Sequence, residues 1–133
     1  MIHIVTALVR DEQGRVLLVR KHGTDSLLQP GGKREPGESD LDCLSRELEE
    51  ELGCRLVPAS AQHLGTFEAL AANEPGQTIR AEAYAVGVSG ALQCRAEIAE
   101  YVWIDPAKPG DRRLAPLTRD VILPLASSLK APS

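Results

Sequence analysis

Aromatic side chains are scarce: Phe67, Tyr84, Tyr101 and Trp103 are the only four among 133 residues. A flat ligand such as a nucleobase therefore has few rings on which to stack. Cysteine is scarce too. Cys43, Cys54 and Cys94 are odd in number and have no Cys-x-x-Cys spacing, which argues against a disulfide framework or a zinc site. No apolar run approaches the ~18 residues of a membrane span, and the N-terminus lacks the charged-then-apolar pattern of a leader. A reducing cytoplasm, with no membrane partner, is the expected setting. A basic excess is also missing. With 15 Lys and Arg against 19 Asp and Glu, the net charge of -4 disfavours a protein that coats a nucleic acid polymer by charge alone. What remains is an ordinary globular balance, 43% hydrophobic and 26% charged, long enough for one domain over residues 1–133 with its own core.

The chain shows no internal repeat or low-complexity tract. Residues 2–10 are apolar at both parities, as in a strand covered on both faces. A turn at residues 11–14 and an apolar run from Arg15 to Arg20 predict a hairpin partner. Residues 26–29 read as a short strand ended by Pro30-Gly31-Gly32. Extended segments are expected at residues 55–57 and 64–70, followed by a turn at residues 73–77. Strands are then expected over residues 78–88 and 98–104. Residues 114–129 read as helical, with Pro116 tolerable in the first turn and Pro124 expected to kink or stop the helix. Several strands and two helices without regular alternation indicate an α/β (α+β) domain built on a mixed sheet.

The acidic charge is concentrated. Glu35, Glu38, Asp40, Asp42, Glu47, Glu49, Glu50 and Glu51 hold eight of the 19 acidic residues within one short stretch. Ser39 and Asp42 have the spacing of a capping box, and Gly53 supplies a stop, so a helix of about 13 residues is expected between them. On that helix Leu41, Leu44, Leu48 and Leu52 form an apolar stripe. Glu47, Glu50 and Glu51 share a flank, whereas Glu49 points elsewhere. Each like-charged pair on neighbouring turns costs about 0.2–0.5 kcal/mol when exposed. Arg46 reaches Glu50 four residues on, but one arginine does not neutralise three carboxylates. Two readings follow: a solvated acidic face, or a site for a hard divalent ion such as Mg2+ or Mn2+.

The spacing from Gly32 through Glu38 to Arg46-Glu47-Leu48-Glu49-Glu50-Glu51-Leu52-Gly53-Cys54 resembles the Nudix box, Gly-x5-Glu-x7-Arg-Glu-U-x-Glu-Glu-x-Gly-U, where U is bulky and apolar. Every fixed position agrees, with Cys54 as a small hydrophobe at the last place. The box covers residues 32–54, and the leading apolar strands, Pro30-Gly31-Gly32 and Glu97-x-x-Glu100-x-x-Trp103 are similar in order and spacing. The resemblance implies an α/β/α sandwich around a mixed sheet. It also implies Mg2+- or Mn2+-dependent hydrolysis of a nucleoside diphosphate linked to another moiety.

On the same resemblance Glu50 and Glu51 are metal ligands, and Glu47 is a ligand or the base that activates water. Arg46 orients a motif carboxylate, Glu38 supports the site or joins a further metal, and Gly32 and Gly53 are structural. A base outside the box is another option within the family, with Glu97 preferred here to Glu100. Arg20, Lys33 and Arg34 are candidate phosphate contacts set against an ordinary solvated role. Tyr84 and Phe67 are candidates for base stacking set against core packing. His3, His22 and His63 have no partner spacing and receive no role.

The substrate is less marked. Residues 69–71, Ala-Leu-Ala, lack the proline that resembles ADP-ribose pyrophosphatases and the tyrosine of diadenosine-polyphosphate hydrolases, and no coenzyme A signature is present. A nucleoside triphosphate pyrophosphatase is the preferred expectation, with an ADP-ribose or other nucleotide-sugar pyrophosphatase as the alternative. A non-catalytic nucleotide sensor is the rival of another class. The resemblance allows a homodimer, and no residue fixes its interface.

Overall fold

The structure, a computed structural model, describes residues 1–129. Its strands are β1 (Ile2–Leu8), β2 (Val16–Lys21), β3 (Gly31–Gly32), β4 (Arg55–Leu70), β5 (Thr78–Ser89) and β6 (Ile98–Ile104). Its α-helices are α1 (Asp40–Leu52) and α2 (Leu123–Ser128). Four strands make a mixed sheet in the order β3-β1-β5-β4, with β1 parallel to β5 and the other pairings antiparallel. The remaining two, β2 and β6, form a separate antiparallel pair. The expectation of one domain runs to Ser133, four residues beyond those described.

Apolar residues at both parities of β1 and β2 divide between two cores. Val5, Ala7, Leu17 and Val19 pack with Leu44, Leu48 and Leu52 of α1. Leu8, Val16 and Leu18 pack with Leu117, Ile122 and Leu123 on the other side. The strands are thus a middle layer with a helix on each face, the expected sandwich, and double burial explains their continuous apolar runs.

The helix α1 forms where its caps require. The Asp42 amide donates to Ser39 Oγ at 3.1 Å, and the Ser39 amide donates to Asp42 Oδ2 at 3.4 Å. Gly53 ends the helix at φ 69°, with its amide donating to the Glu49 carbonyl at 3.0 Å. Leu44, Leu48 and Leu52 are fully buried, and Leu41 is half-buried beside them. The apolar stripe therefore fixes which way the glutamates point.

Three expectations are corrected. The first two strands do not make a ladder hairpin; they meet at an Arg10–Val16 bridge and then part. Both edges of β1 are occupied, by β3 and β5, so β2 pairs with β6 instead. Residues 26–29 form isolated bridges, Leu28 to Val19 and Leu27 to Leu114, rather than a strand. The extended segments at 55–57 and 64–70 are one long strand, β4, whose register shifts between Val57 and Gln62 and between His63 and Gly65.

Pro124 does not stop the last helix. A π-turn over Thr118–Ile122 closes with the Leu123 amide on the Thr118 carbonyl. Pro124 then falls in the first turn of α2. There its missing N–H is tolerated, and the strain is absorbed one turn earlier.

Candidate active site

Arg46 is the hub of the acidic stretch. Its Nε and Nη2 donate to the two oxygens of Glu38 at 2.7 and 2.8 Å, a two-pronged pair that suits the planar guanidinium. Its Nη1 donates to Glu47 Oε1 at 2.8 Å, and Nη2 also reaches the Lys33 carbonyl at 3.0 Å. One side chain thereby ties the loop to the helix. The hydrogen bonds from Arg46, followed by that from the Glu35 amide, hold the Glu38 carboxyl down to about 2. Glu50 is more loosely held, 3.6 Å from Arg46 Nη1 with its side chain 54% exposed.

Glu47 and Glu51 form the inner pair. Glu51 is 3% exposed, on the same side of α1 as Glu47, whose charge bears on it. Burial first, and then the charge of Glu47, pushes Glu51 up to about 8, against a single opposing backbone donor, the Gly31 amide at 3.3 Å. Glu47 is also raised, chiefly by burial, although Arg46 pulls it the other way. A Cβ built on Gly32 would stand 2.7 Å from Glu47 Oε1, so a larger residue here pushes the Glu47 carboxylate aside.

Two inward carboxyl groups on one side of a helix, both raised chiefly by burial, are the donor set a hard divalent ion takes up. The residues present fit Mg2+ or Mn2+ in that sense. Among the described residues no three acidic, histidine or cysteine side chains are gathered into a metal cage. The third expected ligand, Glu50, is the one turned outward.

Next to this pair lies a cleft of about 620 Å³ with walls from both sheets and the β4–β5 turn. Glu47, Glu51, Glu97, Lys33, Arg34 and Arg46 give its lining charge. Ile4, Leu28, Ile79, Ala71 and Leu117 line the same cleft with apolar surface, and Gln29 and Thr118 add polar groups. Gln29 and Thr118 are both buried and hydrogen-bonded to each other across 89 positions of sequence.

Several expected residues are brought here and others are not. Lys33, Arg34 and Glu97 line the cleft, and Glu97 pairs with Lys21 Nζ at 3.3 Å. Arg20 instead donates to the Thr24 carbonyl at 3.0 Å and lies 3.7 Å from Glu100. Glu100 is held by Arg112 as well as Arg20, and its carboxyl is lowered, chiefly by the Arg112 hydrogen bond. Tyr84 points to Asp40, and Phe67 packs in the core beside Gly65, so neither ring lines the cleft. Lys21, Gln29 and Thr118 line it without having been singled out, and so does His22, which was given no role. Lys21 shares the cleft-facing side of β2 with Val19, and ordinary strand alternation turns Arg20 away.

Comparisons with known proteins follow from this geometry. The profile described as "NUDIX domain" matches residues 3–125. The 8-oxo-dGTP diphosphatase of Escherichia coli K12 is 33% identical over 82 residues, covering 59% of this chain and 60% of that protein. The RNA pyrophosphohydrolase of Halorhodospira halophila is 43% identical over 61 residues, covering 46% of this chain and 33% of that protein. The match thus spans less than two thirds of the length of either relative. Among solved structures, the MutT protein of Methanosarcina mazei Go1 superposes with a TM-score of 0.76 at 26% identity, covering 95% of this chain and 92% of that one.

Proposed function

The chain belongs to the NUDIX domain family, and on that premise we propose that it hydrolyses a phosphoanhydride bond of a nucleoside triphosphate, releasing a nucleoside monophosphate and pyrophosphate. The observation that carries this reading is the continuity of the cleft. Its lining combines paired carboxylates and cationic side chains with apolar side chains and the buried Gln29 and Thr118. A phosphate chain suits the first and a nucleobase, bonded at its edge rather than stacked on a ring, suits the second. The relatives named as an 8-oxo-dGTP diphosphatase and an RNA pyrophosphohydrolase support a nucleoside polyphosphate.

The family premise and the inner carboxyl pair support Mg2+ or Mn2+ as cofactor, held by Glu47 and Glu51 with Glu50 alongside. Such an ion, when bound, supplies charge neutralisation at phosphate oxygens and a lowered water pKa. The protein's own groups do the rest. Arg46 fixes the orientation of Glu47 and ties Glu38 to the helix. Lys33 and Arg34 receive phosphate oxygens. Glu97, 64% exposed at the side chain and facing the cleft, takes the proton of the attacking water as its oxygen bonds to phosphorus. The bridging P–O bond then breaks, and pyrophosphate leaves with the electron pair. Glu100, held by two arginines, is the poorer base.

Turnover of a nucleotide panel with Mg2+ tests the reading. Monophosphate and pyrophosphate are expected from a nucleoside triphosphate in preference to cleavage of ADP-ribose. Tight nucleotide and metal binding with no cleavage of any diphosphate compound would instead identify a sensor.

A further inference from the structure

Arg34 lines the cleft, yet its position is set from outside it. Its Nη1 donates to Asp40 Oδ1 at 3.0 Å, and Asp40 Oδ2 accepts from the Tyr84 hydroxyl at 2.6 Å. Asp40 is the first residue of α1 and Tyr84 belongs to the central strand β5, so the pair clamps a loop side chain to the sheet. Tyr84 is itself seated. Its ring lies 4.9 Å from that of His63, whose Nε2 is 2.9 Å from Glu82 Oε1. Thr66 Oγ1 donates to the same Glu82 oxygen at 2.7 Å, and the Arg34 charge is felt at Glu82. Five side chains from β4, β5 and α1 thus bear on one guanidinium that is half exposed.

We propose that Tyr84 and Asp40 are positioning residues that hold the Arg34 guanidinium as a docking point for the phosphate chain of an oligophosphate substrate, favouring triphosphates over two-phosphate conjugates. This rests on the phosphoanhydride-hydrolase reading above. Asp40 occupies Nη1, and no other acceptor is paired with Arg34 among the described residues, so its outer N–H groups remain for phosphate oxygens. A guanidinium fixed on one side presents the others in a constant direction, which lowers the ordering cost of the contact. An unclamped arginine on a glycine- and proline-flanked loop would lose that advantage. Two-phosphate conjugates such as ADP-ribose carry a sugar where a triphosphate carries its last phosphate. Such a substrate has less to offer the clamped cation.

The test combines equilibrium binding of inorganic tripolyphosphate in Mg2+ buffer, by calorimetry, with steady-state kinetics on a nucleoside triphosphate and on ADP-ribose. Arg34→Ala, Asp40→Asn and Tyr84→Phe should each weaken tripolyphosphate binding and raise KM for the triphosphate by about three- to tenfold, with kcat within about twofold. KM for ADP-ribose should move less. Arg34→Lys should recover part of the loss. In an Arg34→Ala background Tyr84→Phe should add nothing, an outcome that a merely structural role for Tyr84 does not produce. Full additivity of the two changes overturns the proposal, as does wild-type affinity in Arg34→Ala or in Tyr84→Phe. If no nucleotide is cleaved but tripolyphosphate binding keeps this pattern, the hydrolase reading fails and the clamp stands.

Discussion

Gly32 lies directly beneath the carboxylate of Glu47: a Cβ on Gly32 would meet Glu47 Cδ at 2.7 Å and its two oxygens at 2.7 and 3.0 Å. The backbone of β3 is therefore part of the wall that holds this carboxylate between Arg46 and Glu51. Gly32→Ala is expected to displace Glu47 while leaving the leucine-stripe core untouched. Activity should fall by about 100-fold, as for a misplacement of about 1 Å at a reacting group. Circular dichroism and Tm should show a folded protein, and near-wild-type turnover would contradict the assignment.

Glu51 makes the stability of the metal-free protein fall with rising pH. Its carboxyl is raised to about 8 in the fold against an ordinary value of 4.5. Between those values the folded state holds a proton that the unfolded chain has released, so stability declines from about pH 4.5 to 8. Unfolding in EDTA at pH 5.5 and pH 8 should show the lower Tm at pH 8, and Mg2+ should restore more at pH 8 than at 5.5. Glu51→Gln should flatten both responses.

Arg46→Lys keeps the charge but loses the fork that grips both oxygens of Glu38 and one of Glu47. A loss of about 10- to 100-fold in kcat/KM is expected, mostly in kcat, since the pair orients groups that act in the transition state. An unchanged kcat would mean that charge alone suffices at this position.

Glu97 and Glu100 are separated by their partners. Glu97→Gln should lower kcat by about 100-fold or more and remove the acidic limb of the pH–rate profile. Glu100→Gln, which disturbs the Arg20 and Arg112 contacts away from the cleft, should change kcat by less than about threefold. The reverse order would reassign the base.

How much of this was legible in the sequence depended on range. The helix α1, its Ser39 and Gly53 caps, its leucine stripe and the Glu47–Glu51 pair rest on contacts three or four residues apart, and local spacing encodes them. The outward turn of Glu50 was not legible, because a shared flank does not say which of its carboxylates Arg46 grips closely and which it leaves exposed. The sheet was harder still. Nothing in the composition of β1 says that it lies parallel to β5 with Ile2 beside Ile79, nor that β2 leaves it for β6. The opposite wall of the cleft shares that dependence on distant partners. Lys21 comes to it from a strand paired with the distant β6, and Gln29 meets Thr118 across 89 positions of sequence.

The pairing of β1 with β5 and of β2 with β6 also orders events during synthesis. The opening strand waits on the ribosome for Thr78–Ser89 to emerge, and Val16–Lys21 waits longer, for Ile98–Ile104. A nascent chain that has reached only Gly53 already carries every residue of the acidic helix, with its leucine face uncovered by most of its eventual neighbours. Such a chain exposes apolar strands with open edges, the species that chaperones bind and that aggregates. Fragments ending before Ile98 should be insoluble rather than merely inactive, because the acidic helix is made early and the strands that cover it are made last.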